Sequence, residues 1–65
     1  MNTEQTTLAI VELKKSKEME AYYNERAQGE KNANNKIADY YYRKLAEQKM
    51  FTEAIETIME IYEAE

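Results

Sequence analysis

In the second half of the chain, apolar side chains recur at helical pitch. Ile37, Tyr40, Tyr41, Leu45, Phe51, Ile55, Ile58, Met59 and Tyr62 fall within one broad sector, and Asp39, Arg43, Glu53, Thr57 and Glu60 fall on the other side, as a period of about 3.6 residues requires. The spacing predicts an amphipathic helix over about 34–63 with a wide apolar stripe. Lys44 and Gln48 interrupt the middle of that stripe. Thr52, after Met50 and Phe51, is a residue type that caps helices, which leaves a break near 50–52 as the alternative.

The first half is amphipathic only in patches. Leu8, Val11, Met19, Tyr22 and Tyr23 can share a face, but Glu12, Lys15 and Arg26 fall inside it, while Ile10 and Leu13 point elsewhere. A helix over about 3–27 is predicted, its start marked by Asn2 with Gln5 three places on, a weak relative of the capping box. Two small apolar faces near its N-terminal end imply two neighbours, the second helix and a partner chain.

One strong break separates the halves. Gly29 is the single glycine, a residue suited to the left-handed position that ends a helix, and Asn32, Asn34 and Asn35 compete with helix through local side-chain bonds or cap the helix that follows. A loop over 28–33 joining two long helices gives an all-α antiparallel hairpin about 40 Å long. The alternative break would give three helices, and Ala38 to Ile55 then resembles one unit of the tetratricopeptide repeat, with Tyr41, Leu45, Phe51, Ala54 and Ile55 at apolar or small positions. The motif's Trp, its glycines and its closing Pro are absent, and one unit is not an array, so the hairpin is the preferred reading.

Length sharpens the problem posed by the stripe. A domain of 65 residues buries only about 60% of the surface its unfolded chain exposes, and without Cys or His this one has neither disulfides nor the usual zinc ligands to compensate. Association is the remaining source of burial, most simply a homodimer forming a four-helix bundle. The longest apolar run, from Leu8 to Val11, is too short for a secretory or membrane segment, so cytoplasmic residence without membrane contact is expected.

Composition excludes most chemistry. A chain lacking His and Cys, with one Ser and one Gly, cannot assemble a nucleophilic triad or a glycine-rich phosphate loop, and the Glu-x-x-His of carboxylate di-metal bundles is missing too. No catalytic residue, cofactor or metal is expected. The net charge of −4 arises wholly after residue 36, and Glu53, Glu56, Glu60 and Glu63 share one helical side. Tyr40, Tyr41 and Tyr42 form the most unusual local feature, an aromatic cluster of the kind enriched in interfaces.

The expected function is therefore a non-enzymatic protein-interaction module, a small regulator, adaptor or inhibitor that binds a larger protein and itself. Its interface is expected at Ile37, Tyr40, Tyr41, Tyr42, Leu45, Phe51, Ile55, Ile58, Met59 and Tyr62. One alternative is an acidic nucleic-acid mimic that presents Glu53, Glu56, Glu60 and Glu63 to a basic cleft. A second is direct nucleic-acid binding, through Arg43 and Lys44 beside the tyrosines or through a helix-turn-helix opening at Asn32 to Lys36. It ranks last, because the acidic balance lacks a basic footprint.

Overall fold

The computed structural model describes residues 3–64 and contains two helices, α1 (Thr3–Glu30) and α2 (Asn35–Ala64), folded back on each other. Both elements form where the sequence places them, and α2 runs unbroken through Thr52, so the three-helix alternative does not arise. The Asn2 signal lies outside the described residues.

The turn lies later than the expected loop of 28–33, because α1 runs on to Glu30 and leaves 31–34 between the helices. Gly29 sits inside α1, and no described residue has a positive φ. The helix instead ends through right-handed turns, with the Ala33 and Asn34 amides both donating to the Glu30 carbonyl at 3.1 and 2.8 Å. Asn34 then opens α2. Its side-chain Oδ1 accepts from the backbone amides of Lys36 at 3.1 Å and Ile37 at 3.2 Å, satisfying two of the donors that a helix start leaves open.

Packing follows a strict alternation of three and four residues. On α1 the inward positions are Thr6, Ala9, Leu13, Ser16, Glu20, Tyr23, Ala27 and Glu30; on α2 they are Ala38, Tyr41, Leu45, Gln48, Thr52, Ile55, Met59 and Tyr62. Apart from Lys44, every residue described as buried or half-buried belongs to these two rows. The hydrogen bond between Ser16 Oγ and Thr52 Oγ1, at 2.6 Å, sets the register. Stepping outward from it pairs Leu13 with Ile55 and Ala9 with Met59 in one direction, and Tyr23 with Leu45 and Ala27 with Tyr41 in the other. Small faces large at Ala9–Met59 and Ala27–Tyr41, the alternation that lets facing layers interdigitate.

The middle of the seam is polar. Gln48 Nε2 donates to Ser16 Oγ at 2.7 Å, the Ser16 hydroxyl can donate to Thr52 Oγ1, and the Thr52 hydroxyl donates to the Glu20 carboxylate. Two layers are thereby joined in one directional chain ending on a charge, the arrangement in which hydrogen bonds are strongest. No buried side-chain N or O among the described residues lacks a partner. The apolar core is correspondingly thin: among the described residues Ala27, Ala38 and Ile55 are its buried members, and no large side chain is fully enclosed.

Candidate interaction surface

With the seam fixed, every other position has a determined direction. The residues flanking one edge of the seam on α1 come to the same broad side of an antiparallel hairpin as their counterparts on α2. From α1 that side receives Leu8, Glu12, Lys15, Met19, Tyr22 and Arg26. From α2 it receives two heptad rows, Ile37, Lys44, Phe51, Ile58 and Tyr40, Glu47, Ala54, Ile61. Its large apolar members are substantially open to solvent, from 38% for Met19 to 63% for Leu8. A shallow depression of about 190 Å³, lined by Leu8, Ala9, Glu12, Ile55 and Ile58, crosses both helices at the open end of this side.

At the loop end the same side is aromatic. Tyr22 and Tyr41 meet edge-on at 6.5 Å, Tyr40 and Tyr41 at 5.2 Å, and Tyr22 and Tyr23 at 5.5 Å, the geometry that opposes ring edge to ring face. The Arg26 guanidinium carbon stands 5.3 Å from the Tyr41 ring centroid. Hydrogen bonding to the Tyr41 phenol is the largest of the influences that hold the Arg26 pKa above its ordinary value. The cluster is thus a supported patch, with Tyr23 and Tyr41 anchored in the seam and Tyr22 and Tyr40 presented outward.

Charge divides between the two broad sides. On the apolar side the ions come in local pairs, Glu12 with Lys15 at 3.9 Å and Lys44 with Glu47 at 3.5 Å, while Arg26 reaches Glu30 at 4.0 Å. Exposed pairs of this kind contribute little stability, but they leave the side nearly neutral. Lys44, next to the seam residue Leu45, is half-buried. The opposite side carries the exposed carboxylates Asp39, Glu53, Glu56, Glu60 and Glu63 together with Lys14, Lys17 and Lys49, and among the described residues its large apolar groups are Ile10 and Tyr42.

The residues expected to form one interface are accordingly split three ways. Tyr41, Leu45, Ile55, Met59 and Tyr62 face α1 within the hairpin; Ile37, Tyr40, Phe51 and Ile58 lie on the open apolar side; Tyr42 points to the acidic side. Tyr40, next to the half-buried Tyr41, is 56% exposed. Ile61 was absent from the expected set, although its heptad spacing from Tyr40 and Ala54 marks it as a member of this side. Glu53, Glu56, Glu60 and Glu63 do share a side, as their spacing implies. The two helices lie along each other over their whole length, unlike the steep crossing of a helix-turn-helix.

Among the described residues no group of three acidic side chains is placed to hold a metal ion, and no helix is long and apolar enough to cross a membrane. Comparison with protein-family models, curated proteins and solved structures found no match.

Proposed function

We propose that the chain is a non-enzymatic interaction module, a small regulator, adaptor or inhibitor whose apolar side docks on another polypeptide. One observation carries the reading: a set of exposed apolar side chains, including Leu8, Tyr40, Phe51, Ile58 and Ile61, on a single side of a hairpin whose own core is thin. Extended exposed apolar surface on a small protein marks an association site, and aromatic groups with a pre-positioned Arg are what such sites use as anchors. The seam contributes rigidity, because its polar centre fixes the register and with it the direction of every outward residue.

The test is co-purification of tagged chain from nuclease-treated native lysate, comparing wild type with Ile58→Asp. Ile58 lies outside the seam, so the variant keeps its helices, which circular dichroism verifies. The reading expects partners held in stoichiometric amount by the wild type to be lost from the variant. Retention of the same partners by folded Ile58→Asp contradicts it.

A second reading, acidic mimicry of nucleic acid, draws on the placement of Glu53, Glu56, Glu60 and Glu63 together on the opposite side, all exposed. Screening separates the two readings. Mimicry expects binding to collapse between about 0.05 and about 0.5 M salt as the Debye length shortens, whereas apolar docking expects little change.

A further inference from the structure

We infer that the occupant of the apolar side is a second copy of this chain, packed face to face about a two-fold axis that crosses the helices, so that the two loops lie at opposite ends of a four-helix bundle. The inference rests on the interaction reading and names its partner.

Three observations favour a second copy. The first is size. The hairpin measures 48 by 15 Å across its broad side, so one side offers about 700 Å² in projection, close to the roughly 800 Å² that each partner gives to a standard stable interface. The second is burial. With Ala27, Ala38 and Ile55 as its buried apolar residues, the hairpin lacks a second layer, and a copy of itself supplies one of matching length.

The third observation is charge. Self-association places a surface against its own image, which a strongly charged surface resists and a neutral one permits. On the apolar side Glu12, Lys15, Lys44 and Glu47 are already paired within the chain, leaving no large field of one sign. The other broad side carries the acidic row with fewer cations, Lys14, Lys17 and Lys49, and so sets an excess of negative charge against its image. Closure through the apolar side therefore turns Glu53, Glu56, Glu60 and Glu63 outward in both copies.

Charge also selects the direction of the axis. Arg26 and Lys44 both lie in the loop half of the apolar side, at nearly the same height, whereas Glu12 lies in the open half. If both loops sat at one end, Arg26 of each copy would come against the other copy's Lys44. With loops at opposite ends, each cation-bearing half with its tyrosines covers the half formed by Leu8, Glu12, Ile58 and Ile61. Phe51, level with Ser16 and Thr52 at mid-length, then meets its own image on the axis.

The absence of cysteine makes the arrangement directly testable by single substitutions. We expect the wild type to sediment at twice the mass of the chain, and Phe51→Asp to raise the dimer dissociation constant by about 30-fold or more, the loss typical of a central anchor. Mild oxidation should convert Phe51→Cys to a covalent dimer of unchanged helicity. Spin labels on Ala33→Cys, in the loop, should be separated by about the 48 Å length of the molecule. Labels within about 20 Å, the span of two adjoining helical layers, would overturn the opposed arrangement. A wild type that remains monomeric at millimolar concentration while melting cooperatively would overturn self-association itself, and the interaction reading would then be decided separately by the co-purification test.

Discussion

Thr52→Val is the most informative single change in the seam. Thr52 is 4% exposed and its hydroxyl links Ser16 to Glu20 while also reaching the Gln48 carbonyl at 3.0 Å, so valine keeps the shape and removes all three contacts. The consequences for the two partners differ. Glu20 is only half-buried and can turn to water, but the Ser16 hydroxyl, in a residue 2% exposed, keeps its bond from Gln48 and loses the acceptor for its own proton. An orphaned buried donor costs about 1–3 kcal/mol, and in a domain of this size about 2 kcal/mol lowers the melting temperature by roughly 8–16 °C. Adding Ser16→Ala removes that orphan, and the Gln48 amide that loses its acceptor is half-buried and can turn to water. The double variant should therefore be more stable than the sum of the two singles implies, with a coupling of about 1–2 kcal/mol. Thermal unfolding of the four proteins at one fixed concentration measures it, which holds any contribution from association constant. Strictly additive losses would refute the account of the polar centre as one connected chain.

Three further expectations follow from the same geometry. Gly29→Ala should stabilise the hairpin by about 0.5–1 kcal/mol, because Gly29 is helical and a β-carbon there meets nothing within 4 Å; a raised denaturation midpoint is the readout. Asn34→Ala removes the acceptor for the Lys36 and Ile37 amides and should destabilise by about 1 kcal/mol, with faster amide exchange confined to the first turn of α2. Ala27→Leu, at a position fully enclosed opposite Tyr41, should cost about 1–3 kcal/mol in chemical denaturation, whereas Ala54→Leu on the open side should leave the melt of the isolated hairpin nearly unchanged.

Helix identity was legible in the sequence; register was not. The long stripe of α2, the break before Asn34 and the choice of Asn as cap all follow from local propensity and spacing. The seam of α1 escapes such reasoning because Thr6, Ser16, Glu20 and Glu30 are polar and Ala9 and Ala27 are small, so the inward row carries almost no hydrophobic signal. On α2 the difficulty is the reverse. Its apolar sector is wide enough to include both the seam row, with Leu45 and Ile55, and the flanking rows, with Phe51 and Ile58, and helical periodicity alone does not say which edge meets the neighbour. Small and hydroxyl residues settle the matter, since Ala38 and Thr52 permit the close approach that a bulky row would block. Seven-residue recurrence of Ile37, Lys44, Phe51 and Ile58 was the available clue to a second face.

The central claim, that the open apolar side is the working surface of this hairpin, is tested most directly by methionine oxidation footprinting across protein concentration. Met59 lies in the seam, Met50 on the outer edge at 70% exposure, and Met19 on the apolar side, so the chain carries a reporter in each environment. Met59 should oxidise slowly and Met50 fast at every concentration, while Met19 should slow as assembly proceeds. Oxidation of Met19 at an unchanged rate in the assembled protein would contradict the claim.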